Sequence, residues 1–253
     1  MSPISSAAAA DPRRIALWAV PRSVSTAFER VFVERDDAAV LHEPFSHAYY
    51  HGPDRVSDRF GGVAPRPEHA YEAVAAEVSG PCEAPILFIK DMAYQARPVD
   101  DPEFYAGLTN TFLIREPVEA LLSLYRMWPD FTLAEAGFVE QAALFDLVTE
   151  TLEQPAVVVD ATDFRSAPEE VMAAYCEAVD IPHRADALRW QPGPVDLWQG
   201  WSEWHRDAEQ SAGIAPPTAP PAAAADALPE RVAAMVDLCQ PHYERLHAAR
   251  LLP

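Results

Sequence analysis

Lysine occurs once in the 253 residues, at Lys90, and every other strong base is an arginine. The two kinds together number 19 against 39 carboxylates, for a net charge of −20. A field of that sign excludes nucleic acid and anionic membrane as partners. An Ala-, Arg- and Pro-rich composition accounts for the shortage as codon bias in a GC-rich genome, so the surviving lysine is the more informative one. Cysteine is scarce too. Cys82, Cys176 and Cys239 are scattered, odd in number and in no C-x-x-C pair, which excludes a disulfide framework or a zinc site and suits a reducing cytoplasm. Long apolar runs are missing, and stretches such as 84–89 and 156–159 fall far short of a membrane span. The opening MSPISSAAAADP lacks the basic-then-apolar order of a signal peptide, and residues 1–12 are expected to be a loose tail. No G-x-x-x-x-G-K-[ST] loop occurs.

What is present is enough apolar material, 49% of the chain, for one large domain with a core. Apolar runs at 14–20, 39–41, 85–90, 111–115 and 156–160 read as strands. They alternate with helical spacing at 25–35, 71–78, 117–126, 133–152, from 168 onward, and from 230 to about 251. This order predicts an α/β domain over 13–253 with a parallel sheet covered on both faces. Thr26-x-x-Glu29 reads as a capping box for the first helix, and Pro117 suits the opening of another. Residues 45–67 are expected to form a long irregular loop of functional kind. Residues 215–229 (APPTAPPAAAADALP) read as a Pro/Ala-rich connector to the last helix.

Two segments carry candidate chemistry. Pro21-Arg22-Ser23-Val24-Ser25-Thr26 joins the first strand to a helix, where backbone N–H groups and the helix dipole favour an anion. The same hydroxyls also read as plain helix caps. Arg115 sits where a later strand gives way to helix, at the rim where such sheets bind ligands, and Ser123 lies about 9 Å further along that helix. Together they can grip one phosphate, or Arg115 can simply pair with Glu116 or Glu119. His42-Glu43…His47…His51 invites a metal reading, but Pro44 breaks the helix that reading needs, so no metal is expected. Tyr49, Tyr50, His51, Trp198, Trp201 and Trp204 are candidates to wall a pocket.

PRSVSTAF, HEPF, FIKDMAY and LIREPVEALLSLYR, in this order, resemble the sulfotransferase superfamily, nearest its bacterial and plant branch. The likeness covers about 14–182, and WSEWHRDAEQSAGI (201–214) is similar to a variable segment that closes over the cofactor. It implies a three-layer P-loop NTPase-like fold and 3′-phosphoadenosine 5′-phosphosulfate (PAPS) as sulfuryl donor. By that likeness Arg22, Ser23, Val24, Ser25 and Thr26 hold the 5′-phosphosulfate, and Arg115 and Ser123 the 3′-phosphate. Val24 departs from the glycine usual in many members, His42 from an aspartate, and Asp91 from a frequent histidine. A sulfuryl group carries less charge than a phosphoryl group, so a metal is not obligatory.

The implied reaction moves the sulfuryl group to a hydroxyl of a small molecule, in biosynthesis. Glu43 is the first candidate base, with a pKa expected to be raised beside the bound donor, and His42 is the second. Lys90 and Arg22 would meet the developing charge. Pairing of Glu43 with Arg22, or of Lys90 with Asp91, is the purely structural alternative. Three further readings stay open: sulfation that creates a leaving group, a non-catalytic subunit with this fold, and a P-loop kinase in which 157–160 acts as the second metal-binding strand and Thr26 holds Mg²⁺. The charge and the Trp-rich segment leave room for a second copy or another protein as partner.

Overall fold

The computed structural model describes residues 11–62, 64–199, 202–217 and 228–252. Most of the expected tail, most of the expected connector and Trp201 lie outside the described residues. The strands are β1 (Arg13–Ala19), β2 (Ala38–His42), β3 (Ile86–Met92), β4 (Thr109–Ile114) and β5 (Val157–Asp160). The helices in chain order are α1 (Ser25–Val33), α2 (Pro44–His51), α3 (Tyr71–Ser79), α4 (Ala93–Ala96), α5 (Pro102–Ala106), α6 (Pro117–Met127), α7 (Leu133–Ala136), α8 (Phe138–Asp146), α9 (Ala161–Ser166), α10 (Pro168–Ala178), α11 (Ser202–Gln210) and α12 (Glu230–Ala248).

The strands form one all-parallel sheet in the order β2-β3-β1-β4-β5. Alternate side chains of β1 supply both faces, which is why its sequence reads as a continuous apolar run. Ile15, Leu17 and Ala19 pack with Phe28, Phe32, Phe88 and Tyr175 beneath α1 and α10. Ala16 and Trp18 pack with Phe45, Tyr105, Phe112 and Phe145 on the opposite side. Phe32 and Phe88 stack with centroids 3.7 Å apart. Trp18 Nε1 donates to Asn110 Oδ1 (2.8 Å), so the one polar atom of that buried indole is satisfied. A further apolar cluster joins α12 to α6 and α8 through Val232, Cys239, Leu121 and Phe138. The result is three layers, helix on sheet on helix.

The chain leaves β1 through α1 toward the β2 side, and leaves β4 through α6 toward the β5 side. A crevice therefore opens at the carboxyl ends of β1 and β4, the switch point of the sheet. Gln141 of α8 fixes this rim, its Nε2 donating to the carbonyls of Trp18 (2.8 Å) and Leu113 (3.0 Å).

Three local expectations change. Residues 45–67 are not all irregular, because α2 occupies 44–51 with Pro44 in its first turn and Asp91 Oδ2 accepting from Phe45 N–H (2.7 Å). The expected single helix 133–152 breaks at Gly137, whose φ is 81°, and ends in a π-turn at Leu147–Thr151. A true capping box sits at Thr132 and Glu135 instead of Thr26 and Glu29.

Candidate active site

Arg22 and Val24 in the β1–α1 loop both have positive φ, 64° and 60°. That conformation costs an L-residue about 1–2 kcal/mol and is a true outlier for a β-branched one. Strain of this kind gathers where backbone is shaped around a ligand. Val24 holds the left-handed conformation that glycine favours. It is also the N-cap of α1, and no side chain caps that end. The expected box fails because both side chains are drawn elsewhere. Thr26 Oγ1 lies 3.1 Å from His205 Nδ1, and Glu29 is buried beneath the sheet edge. The start of α1 is thus left without a side-chain acceptor, beside Arg22, Ser25 and Thr26, which line one cavity. Ser23 does not line it. Its buried hydroxyl donates to Val20 O (2.7 Å) and holds the turn.

Arg22 spends its hydrogen bonds on neutral acceptors, Nε on Ser123 Oγ (3.0 Å) and Nη1 on Trp204 O (3.2 Å). Burial lowers its pKa most; Asp207 works against that and Arg115 with it. Arg115 donates to Arg22 O (2.6 Å) and grips Glu119 Oε2 through Nε (3.0 Å) and Nη2 (2.9 Å). The pairing with Glu119 and the place in the cavity are both real, while the Ser123 hydroxyl meets Arg22 and not Arg115. Arg165 also lines the cavity, near enough to Arg115 to feel its charge.

At the end of β2, Glu43 turns the chain with φ 44°. Its N–H donates to Lys90 O (2.7 Å), and its carboxylate pairs with the fully buried Lys90 ammonium. Neither sequence alternative holds, because Glu43 pairs with Lys90 and not Arg22, and Asp91 instead accepts from the N–H groups of Phe45 and Met92 (both 2.7 Å). Burial works to raise the Glu43 pKa, but Lys90, His42 and His205 hold it at about 2. Asp91 is the carboxyl pushed well above its usual range, by burial and by Glu43.

Behind Glu43, His42 Nδ1 lies 2.8 Å and 3.0 Å from the two Glu29 oxygens, and Trp198 Nε1 donates to Glu29 Oε2 (2.8 Å). His42 Nε2 is buried, has no hydrogen-bond partner, and lies 4.0 Å from Glu43 Oε1. A carboxylate on Nδ1 fixes which ring nitrogen is left over. Glu43 lines the cavity, while His42 and Lys90 stand behind it. His47 stacks on His69 at 4.8 Å, away from His42, and no group of three or more His, Cys, Asp or Glu is placed to hold a metal among the described residues.

The cavity, of about 470 Å³, takes its far wall from Tyr50, Met92, Tyr94, Gln95, Leu124 and Trp128. Its cover is α11 and the following segment, through Trp204, His205, Asp207 and Ala215. Of the aromatic candidates, Tyr50 and Trp204 line it, whereas Trp198 is committed to Glu29. Sequence reasoning missed Arg165, His205, Tyr94, Gln95 and Trp128. Only the SEWHRD run pointed toward His205, and nothing pointed toward Arg165, whose neighbours come from distant segments.

The sulfotransferase-domain family model matches residues 13–245. Two curated plant proteins from Arabidopsis thaliana, branched-chain-amino-acid aminotransferase-like proteins 2 and 1, are 27% identical over 204 residues and 26% over 212. The match takes in 79% and 82% of this chain but 36% and 38% of those proteins, so the chain spans little more than a third of their length. Among solved structures, the sulfotransferase domain of the Synechococcus PCC 7002 olefin synthase aligns over 96% of this chain and 97% of that one, with a TM-score of 0.54 and 18% identity. That likeness concerns the fold, and it agrees with the three layers and parallel sheet described above. By the match along nearly its whole length, the chain belongs to the sulfotransferase-domain family.

Proposed function

We propose that the chain is a PAPS-dependent sulfotransferase that moves a sulfuryl group to a hydroxyl of a small molecule, in a cytoplasmic biosynthetic setting. One observation carries this. In a chain of net charge −20, three arginines and an uncapped helix start line the same cavity as an ionised carboxylate. Such a concentration of positive groups against the overall field suits a ligand with more than one anionic group.

Arg22, Ser25, Thr26 and the first turn of α1 would hold the 5′-phosphosulfate, with the backbone of Ser23 and Val24 shaping the loop. Arg115, Ser123 and Arg165 would hold the 3′-phosphate. Glu43 takes the acceptor's hydroxyl proton as that oxygen bonds to sulfur and the bond from sulfur to the phosphate oxygen breaks. Arg22 meets the charge left on the departing phosphate, and Lys90, behind Glu43, adds its positive field to the same end of the cavity. At pH 7 Glu43 is deprotonated, the correct form for a base, and any weakening of its pair with Lys90 raises its basicity. His42 Nε2, behind it, is the second acceptor for that proton. The mechanism asks for positioning and charge and for no metal.

Mass spectrometry of a reaction with PAPS and a panel of hydroxylated small molecules tests the proposal. A sulfated product, formed with 3′-phosphoadenosine 5′-phosphate, is the expected result. Phosphorylation from ATP and Mg²⁺ in its place would overturn it.

A further inference from the structure

The two ends of the cavity differ in kind. From Arg165 and Arg115 the lining passes to Arg22, then to the Trp204 ring 5.8 Å from its guanidinium. Trp204 meets Trp128 edge to face at 4.6 Å, and Trp128 meets Tyr50 at 6.4 Å. Tyr50 and Tyr94 share a hydrogen bond between hydroxyls (3.0 Å), and Gln95 Nε2 donates to Tyr94 Oη (3.2 Å). The second end is thus walled by rings and, among the described residues, no free cation lines it. Arg59, 4.6 Å over the Trp128 ring, is consumed by Glu135 (2.6 Å) and Asp130 (2.9 Å). Burial holds the Tyr50 and Tyr94 phenols far above their usual range, so both stay neutral. Glu43, the carboxylate of the cavity nearest Tyr94, repels a second anion.

Gln95 is 3% exposed and lines this end, and its Oε1 has no hydrogen-bond partner. An amide oxygen left over in a buried wall costs stability unless a ligand donates to it. We infer that this end is a subsite for an uncharged, planar aromatic alcohol that carries a second hydroxyl or amine, with the edge-to-face rings stacking on its plane and Gln95 Oε1 accepting from its far donor. The inference rests on the sulfotransferase proposal for its biological meaning, but binding is measurable without a donor, so the two fail separately.

Isothermal titration calorimetry with four probes tests it: 2,6-dihydroxynaphthalene, 2-naphthol, 6-hydroxy-2-naphthoate and decahydro-2-naphthol. The diol binds about tenfold more tightly than 2-naphthol, the size of one hydrogen bond to a buried acceptor. The carboxylate and the saturated alcohol bind more weakly than either. Gln95→Met, which keeps the volume and removes the acceptor, abolishes the diol's advantage and leaves 2-naphthol unchanged. Tyr94→Phe, which removes the hydroxyl that orients the amide, narrows the advantage and serves should the first variant not fold. Equal binding of diol and 2-naphthol, strongest binding of the carboxylate, or no binding of any probe overturns the subsite, whatever the fate of the sulfuryl-transfer assay.

Discussion

Glu43 does two things at once, and a single substitution separates them. It is a carboxylate of the cavity and, among the described residues, the only partner that neutralises the fully buried Lys90 ammonium at hydrogen-bond range. Glu43→Gln should lower turnover by about 10²–10⁴-fold, the contribution of a positioned base. It should also lower stability by about 3–5 kcal/mol, because a buried cation loses its partner. Adding Lys90→Met should restore the stability and not the rate, a split that turnover assays and denaturant melts read directly. Acid tests the same pair. With a folded pKa of about 2 against an ordinary 4.5, the pair contributes stability that is whole above pH 4.5 and is lost as pH falls toward 2. The double variant should lack that loss. Much of this neighbourhood was legible in the sequence as individual residues: Arg22, Glu43, Lys90, Arg115 and Ser123 do converge. What was not legible is who pairs with whom. Glu29 reads as a capping residue from its spacing, yet burial against β2 makes it the partner of His42 and Trp198, and only the tertiary packing of α1 decides between those uses.

At the scale of elements, α11 is latched to α1 by a histidine that cannot carry charge where it sits. Burial, then Lys90 and His42, lower the His205 pKa to about 3 from 6.5, with Glu43 opposing. The unfolded chain therefore binds the proton first as pH drops, and stability present above pH 6.5 is lost progressively down to about pH 3. His205→Gln should flatten that part of the melting-temperature profile; an unchanged profile would remove His205 from it. The turn between α7 and α8 is a second fixed point. Gly137 has φ 81°, and a β-carbon there would come 3.3 Å from both Pro21 Cδ and Tyr94 Cδ1. Gly137→Ala should destabilise by about 1 kcal/mol, strain less the entropy it saves in the unfolded chain. Donor affinity should fall as well, since Pro21 begins the loop proposed to hold the donor. The strands were legible because buried parallel strands are continuous apolar runs. The break of 133–152 and the helix at 44–51 were not, because a glycine inside a helical pattern and a Glu-Pro turn acquire meaning only from the neighbouring segments that fill them.

Across the whole molecule, charge sets the terms on which any anion enters. A net charge of −20 repels itself and an anionic donor alike, and at 0.1 M salt that field is screened beyond about 10 Å. Sodium sulfate should therefore raise the melting temperature more than sodium chloride at equal ionic strength, beyond sulfate's general salting-out effect, and Arg115→Ala should shrink the excess if the arginines form an anion site. The layered fold could be read in advance from strand–helix order, and the two loops proposed to hold the donor's anionic groups from side chains adjacent in sequence. The cavity's far wall could not, being assembled from α2, α4 and α6. The most direct test of the account compares binding of 3′-phosphoadenosine 5′-phosphate and of AMP by calorimetry, in the parent protein and in Arg115→Ala. Two separate anion clamps predict that the 3′-phosphorylated nucleotide binds the parent far more tightly, and that Arg115→Ala weakens it by about 1.5–3 kcal/mol while leaving AMP unchanged. Equal affinity of the two nucleotides for the parent protein would contradict the account.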